Sequence, residues 1–253
     1  VADGLGAPIS DDAPIRLLIR IEDDLCAISV DASGAPLHRR GLKQAVGKAP
    51  MRETLAALFL RACGYAGAEP VVDPMCGSGT FVIEAAEIAC GLAPGRARAF
   101  AFEGLATFDR DAWSALRGAA APWETPLRFS GADRDAGAIR ASRVNAERSQ
   151  VAHLTTFSQA AVSECAPPVG ADRPGLVIVN PPYGARIGEK GLLRALYGAL
   201  GATLRTRFSG WRVGLVTSEP ALAAATRLPF VETGPPIPHG PLKIRLHRTA
   251  TLP

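Results

Sequence analysis

Apolar and polar positions alternate twice near the start of the chain, at Ile15, Leu17, Ile19 and Ile21 and again at Cys26, Ile28 and Val30, with Asp23-Asp24 between the runs. Period-two alternation around an acidic break predicts a β-hairpin. An isolated hairpin is marginal in water, so this one is expected to pack on the main domain or on something beyond it. Residues 1–14 show no period and read as a flexible lead-in. Met51, Leu55, Leu58, Phe59 and Ala62 then recur at helical spacing, with Pro50 at the start, where its missing N–H costs nothing, and Gly64 at the stop. Val71-Val72 reads as a buried strand. It runs into Asp73-Pro74-Met75-Cys76-Gly77-Ser78-Gly79-Thr80, and then into Phe81, Ala85, Ile88 and Ala89 at helical spacing.

From Pro94-Gly95 to about Pro126 the pattern is that of an insertion, with a short helix near Asp109 to Ala119 and Trp113 turned inward. Strands are expected at Phe129–Asp133, near Leu154–Phe157, at Leu176–Val179 and at Trp211–Thr217. Asp135 is placed to N-cap a helix running to about Gln150. Leu193, Leu196, Tyr197, Leu200 and Leu204 mark an amphipathic helix, and another is expected from about Pro220 to Arg227. Phe230-Val231-Glu232 and Leu242–Leu246 alternate like an antiparallel pair. Strands alternating with helices predict an α/β fold around a mostly parallel sheet.

Strand, glycine turn and helix in succession is how a doubly wound sheet makes a cofactor crevice. Gly77 and Gly79 let the backbone approach a ligand where a β-carbon would obstruct it. Free N–H groups at the start of the helix favour an anionic group there. The turn has neither the Gly-Lys-Ser/Thr of a P-loop nor the full spacing of a dinucleotide fingerprint. A second stretch changes the picture: Leu176–Val179 ends in Asn180-Pro181-Pro182-Tyr183. A strand-terminating turn accounts for the prolines, but gives no reason for Asn before them and Tyr after.

These two stretches, in this order, resemble class I S-adenosylmethionine-dependent methyltransferases that modify an exocyclic or amide nitrogen. More narrowly, His38-Arg39-Arg40-Gly41, Ala49–Ala56, the Asp73–Thr80 turn, Gly131-Ala132-Asp133-Arg134-Asp135 and Asn180–Gly188 together resemble the ribosomal RNA guanine-N2 methyltransferase family. The resemblance implies a Rossmann-like sheet of seven strands, the last antiparallel, with helices on both faces and the N-terminal hairpin ahead of it. It implies a lead-in, hairpin and basic connector over 1–48 and a methyltransferase domain over 49–253. The cofactor, S-adenosyl-L-methionine, would be held by Asp73, Pro74, Cys76, Gly77, Ser78, Gly79, Thr80, Asp133 and Asn180. Asp133 would accept the ribose hydroxyls, and Glu53 would border the methionine end or stabilise the helix dipole. The family often has an aspartate for the adenine amino group where this chain has Ala161, leaving Gln159, Ser163 or a backbone carbonyl as substitutes. An RNA-binding THUMP domain usually lies upstream in such enzymes. The chain begins at Val1 rather than methionine, so upstream sequence is expected.

In that setting Asn180, Pro181, Pro182 and Tyr183 are the catalytic candidates. An exocyclic amine is a poor nucleophile because its lone pair is delocalised into the ring. The Asn180 side-chain carbonyl and the Pro181 backbone carbonyl are two acceptors for its two hydrogens, which favours a pyramidal nitrogen. Tyr183 offers a flat face for the base; the face rather than the hydroxyl is invoked. Arg186, Gly184 and Gly188 suggest a basic lip. The rivals are a transfer-RNA guanine-N2 enzyme, adenine-N6 or glutamine-N5 enzymes, and a catalytically silent RNA-binding protein retaining the fold.

Composition adds less. A net charge of +4 over 253 residues is a modest bias toward nucleic acid. Arg39, Arg40, Lys43 and Lys48 sit in a glycine-bearing connector suited to phosphate contacts, whereas Arg134, Arg140, Arg143 and Arg148 fit a solvated helix face equally well. Five scattered cysteines, Cys26, Cys63, Cys76, Cys90 and Cys165, form no Cys-x-x-Cys pair and fit a reducing cytoplasm. The histidines, His38, His153, His239 and His247, are dispersed. No apolar run reaches the ~18 residues of a membrane span, and the N-terminus lacks a signal pattern.

Overall fold

The computed structural model describes residues 4, 6, 9–13, 15–39, 51–119, 122–169, 173–184 and 190–253. Part of the lead-in, the connector residues Arg40, Lys43 and Lys48, the start residue Pro50, and Arg186 and Gly188 lie outside them. In chain order the elements are β1 (Arg16–Glu22), β2 (Leu25–Asp31), α1 (Glu53–Ala62), β3 (Val71–Asp73), α2 (Thr80–Ala89), α3 (Arg110–Ala119), β4 (Phe129–Asp133) and α4 (Ala136–Arg148). They continue with β5 (Thr155–Gln159), β6 (Leu176–Val179), α5 (Lys190–Arg207), β7 (Arg212–Thr217), α6 (Pro220–Ala225), β8 (Phe230–Thr233), β9 (Ile237–His239) and β10 (Leu242–Thr249). The chain forms two compact units, Val1–Gly41 with Ala93–Ala121, and Leu42–Leu92 with Pro122–Pro253.

In the first unit β1 and β2 pair antiparallel about a turn in which Asp23 has φ 50°, as the alternation predicts. Its apolar side chains nevertheless stay 48–73% exposed at Leu17, Leu18, Ile19, Ile21, Leu25, Ile28 and Val30. The same unit holds an aromatic knot in which Trp113 of α3 stands edge-on to Phe100 and Phe102, ring centroids 5.9 and 5.0 Å away.

The second unit is built on a sheet in the order β5-β4-β3-β6-β7-β10-β8. The first five strands of that order are parallel; β10 is antiparallel to β7 and β8 antiparallel to β10. The seven expected strands are those of this path; β9, which pairs with the start of β10, is not among them. Leu242–Ile244 therefore pairs with Ile237–His239, and β8 takes His247–Thr249 instead. Gly234-Pro235-Pro236 causes this difference, because prolines donate nothing to a ladder and end β8 early.

Strand residues buried on both faces make near-continuous apolar runs in parallel sheets. Accordingly all four residues of β6 are buried, and they divide between two cores. Val71, Leu176 and Ile178 face a layer containing α1, α2 and α4, while Val72, Val177 and Val179 face α5 and α6. The buried stripe of α1 is Ala56, Phe59 and Leu60, rotated from the expected one: Leu58 is 51% exposed. Helix α2 is buried nearly all round, Glu84 and Glu87 included, because it lies between α1 and α4 on the sheet. Tyr65 ties onto it, its hydroxyl donating to Ala85 O at 2.9 Å.

Gly201 of α5 marks a close helix contact. A β-carbon there would stand 1.8 Å from the Thr226 carbonyl oxygen, which is backbone and cannot rotate away. Gly201→Ala gains up to about 1 kcal/mol of helix propensity but forces α5 off the end of α6, a cost of about 1–3 kcal/mol. The melting temperature is expected to fall; a rise would show that α5 and α6 part freely.

Candidate active site

The parallel strands run out from β3 in two directions, β4 and β5 to one side and β6 and β7 to the other. Ligands in open α/β sheets bind outside the carboxyl ends of the strands at such a switch point. Asp73 ends β3, Asp133 ends β4, and Asn180 follows β6, so the topology brings the three predicted residues to neighbouring strand ends.

The turn after β3 is held from both sides. Cys76 N donates to Ala132 O at 2.9 Å, and Gly77 N donates to Asp133 Oδ2 at 3.0 Å. From α4, Ser142 Oγ lies 2.8 Å from Gly77 O, and Asn145 Nδ2 donates to Ser78 O at 3.1 Å. Gly79 has φ 82°, and a β-carbon there would lie 3.1 Å from Phe157 and Ser142. Gly77, φ 53°, is different: open space lies beside it. Pro74, Cys76, Ser78, Gly79 and Thr80 are buried, so Gly77 and Met75 are the part-exposed positions of the turn. Burial pushes the Cys76 thiol well up, which makes it a packing residue beside Gly131 and not a nucleophile. Glu53 is buried in the first turn of α1.

Asp133 uses both carboxylate oxygens, one on Gly77 N and the other on Asp135 N at 2.9 Å. Each oxygen keeps a lone pair for a further donor. Asp135 caps α4 as expected, accepting from Gly137 N at 2.6 Å. Asp73 is wholly buried; loss of solvation raises its pKa to about 8, the Met75 N–H opposes this, and the Asp133 charge adds to it. At the position of the missing acid, Ala161 N donates to Glu164 Oε2 at 2.8 Å, so the turn after β5 does carry a carboxylate, three residues later. Gln159 is engaged with Arg134 O at 3.2 Å, and Arg143 with Phe157 O at 2.8 Å.

The Asn-Pro-Pro-Tyr turn is fixed from behind. The Tyr197 hydroxyl of α5 lies 3.3 Å from both Pro182 O and Thr217 Oγ1, and Gly184 N donates to Glu219 Oε1 at 2.8 Å. Pro181 is buried and Pro182 exposed. Tyr183 packs against both cores; burial pushes its hydroxyl up, and a hydrogen bond from the Asn180 side chain opposes that. Asn180 Oδ1, in contrast, is buried with no hydrogen-bond partner among the described residues. Ser142, Asn145, Tyr197 and Glu219 are the supporting side chains that sequence reasoning missed. Their signal is only a polar side chain within a helix pattern or, for Glu219, just ahead of one.

A cavity of about 140 Å³ lined by Cys63, Arg212 and Arg248 lies at the other end of the strands, where Leu176 and Arg212 begin β6 and β7. Its guanidinium groups are taken up by Glu69 and Glu232 and by the α1 carbonyls of Cys63 and Ala62.

The strand order, the glycine turn after β3 and the helices on both faces define a class I methyltransferase fold. The chain belongs to the UPF0020 family, the RMKL-like methyltransferase domain, whose model matches residues 40–233. It is 37% identical over 234 residues to the ribosomal RNA large subunit methyltransferase K/L of Vibrio campbellii, covering 89% of this chain and 33% of that protein. The chain thus spans about a third of the length of the curated relative it matches. Among solved structures, it resembles a possible methylase from Clostridium difficile 630 at TM-score 0.83 and 32% identity, covering 94% of this chain and 62% of the other. SMU.472, crystallised in complex with SAH, matches at TM-score 0.85 and 27% identity over 98% of this chain and 64% of its own. No described helix is long and apolar enough to cross a membrane.

Proposed function

We propose that this domain transfers a methyl group from S-adenosyl-L-methionine to the exocyclic N2 of a guanine in large-subunit ribosomal RNA, in the cytoplasm. The observation that carries the reading is the orphaned Asn180 Oδ1. A buried acceptor without a partner is costly, and an amine hydrogen from a flipped base would satisfy it. Asn180 Oδ1 and the Pro181 carbonyl accept the two amine hydrogens, localising the lone pair on nitrogen, while Tyr183 supplies a face for the ring. The nitrogen loses its proton after it has become cationic, so no strong base is needed beside it. When bound, the cofactor supplies an electrophilic methyl on a cationic sulfur. Asp133, the open side of Gly77 and the turn from Asp73 to Thr80 would hold it, with Glu164 near the place of the adenine acid. An upstream RNA-binding module of THUMP type would add most of the RNA affinity, since the charge on this chain is modest.

Asp133→Ala leaves ribose donors unsatisfied and frees Gly77 N as well. Cofactor affinity measured by calorimetry is expected to drop by about 1–3 kcal/mol; unchanged affinity removes Asp133 from the site. Transfer to under-modified ribosomal RNA, followed by nucleoside mass spectrometry, tests the whole reading. N2-methylguanosine is expected. N6-methyladenosine, or label confined to transfer RNA or to a glutamine, would reassign the substrate, and cofactor binding without transfer would favour a silent RNA-binding protein.

A further inference from the structure

The pairing of β10 with β7 stops at Arg245 opposite Thr217, the last residue of β7. Because β10 runs antiparallel, its preceding residues Leu242–Ile244 continue past the carboxyl ends of the parallel strands, and β9 pairs with them there. Three strand residues carry this overhang about 10 Å beyond the sheet, on the edge that bears Asp73, Asp133 and Asn180. The register puts Ile237, His239, Leu242 and Ile244 on one face of the small ribbon and Pro238 and Lys243 on the other. Ile244 is fully buried, and Ile237 packs on the same core as Tyr183, so the first face is turned toward the protein. At the tip, Leu242 Cδ1 stands 3.2 Å from where a β-carbon on Gly184 would be, directly after Tyr183. Leu242 is still 38% exposed there. His239 is half-buried; burial, and next the charge of Arg52 ahead of α1, hold its imidazole below its ordinary pKa. His239 pairs with Leu242, so its imidazole lies on the ribbon face that reaches Gly184, within electrostatic range of the exposed Arg52 guanidinium.

We propose that the β9–β10 overhang is the outer wall of the acceptor pocket, with Leu242 packing on the extruded base and His239 and Arg52 holding the phosphate of the same nucleotide. The inference rests on the reading of this domain as an RNA methyltransferase. It assigns to Gly184 a further requirement besides its φ of 71°: a side chain at 184 would close the gap between turn and wall. Arg52, exposed ahead of its helix, and Leu242, at a ribbon tip, can be truncated without opening a core.

The test is single-turnover methyl transfer to ribosomal RNA as a function of RNA concentration, at two or more salt concentrations, for Leu242→Ala, His239→Ala, Arg52→Ala and Arg52→Lys. Loss of packing on the base should raise the RNA concentration for half-maximal transfer by roughly fivefold or more in Leu242→Ala. Arg52→Ala should lower the slope of log affinity against log salt by about 0.7, the value of one phosphate contact on a single strand; Arg52→Lys should restore it. Cofactor affinity by calorimetry should stay unchanged in all four. Normal half-maximal concentrations and salt slopes alongside active unsubstituted protein would overturn this inference alone. Failure of the unsubstituted protein to methylate any RNA would overturn the functional reading and the wall with it.

Discussion

Asn180→Ala is expected to lower the rate of methyl transfer roughly 10²–10³-fold, the usual cost of deleting an oriented polar group at a reacting centre, while cofactor affinity stays nearly unchanged. Asn180 Oδ1 is a buried acceptor that lacks a partner among the described residues. On the proposed reading, truncation removes an interaction made with the nucleophile, so the loss falls on the chemical step and not on the cofactor. Tyr183→Ala weakens capture of the base. Tyr183→Phe is expected to keep most activity, because the ring face alone is invoked. Single-turnover assays with parallel cofactor titrations separate these effects. Near-normal transfer by Asn180→Ala would remove the Asn-Pro-Pro-Tyr turn from the chemistry.

The second large effect concerns pH. Asp73 ionises at about 8 in the folded chain, against 3.8 ordinarily, because burial disfavours its charge. Between those values the unfolded chain has already lost a proton that the folded chain retains. The stabilising contribution of protonated Asp73 is therefore complete below the unfolded pKa and is lost as pH rises through the folded one. Asp73→Asn keeps an acceptor for Met75 N and cannot ionise, so its stability advantage over the unsubstituted protein should grow from pH 4 to pH 8 and then level off. Urea midpoints at pH 5, 7 and 9 measure this, and parallel profiles would place the Asp73 pKa near its ordinary value. A cation bound beside Asp73 favours its charged form, so cofactor binding near pH 7 should release a proton, visible as a buffer-dependent binding enthalpy.

Much of this was readable beforehand because it rests on local rules. Val71-Val72 and Leu176–Val179 could only be buried strands, Gly79 needs its positive φ, and Asp135 is a cap by residue type and place. The order of the parallel strands came from resemblance, since no periodicity records which strand lies beside which. What escaped was tertiary. The face of α1 turned Leu58 outward, and α2 lost its polar side because helices flank it on both edges. The β9–β10 ribbon was hidden by Gly234-Pro235-Pro236, which broke one alternation into two. Of the four side chains supporting the site, Ser142, Asn145 and Tyr197 sit in helices and Glu219 just ahead of one, where the helix pattern gave no reason to single them out.

The anchoring of α1 has a consequence for biosynthesis. The carbonyls that end this helix, at Ala62 and Cys63, accept from arginines 186 and 149 residues further along the chain. Leu252 N also donates to Trp211 O, and Gly210 N to Leu252 O, at 2.8 Å each. An emerging chain can collapse around β3, β4 and β6, yet the first helix keeps an unfastened end until the final strand leaves the ribosome. Such distant closure slows the last stage of folding and leaves apolar surface uncovered while synthesis proceeds. Emergence of β10, rather than completion of the glycine turn, is then the event that commits the domain to its native state.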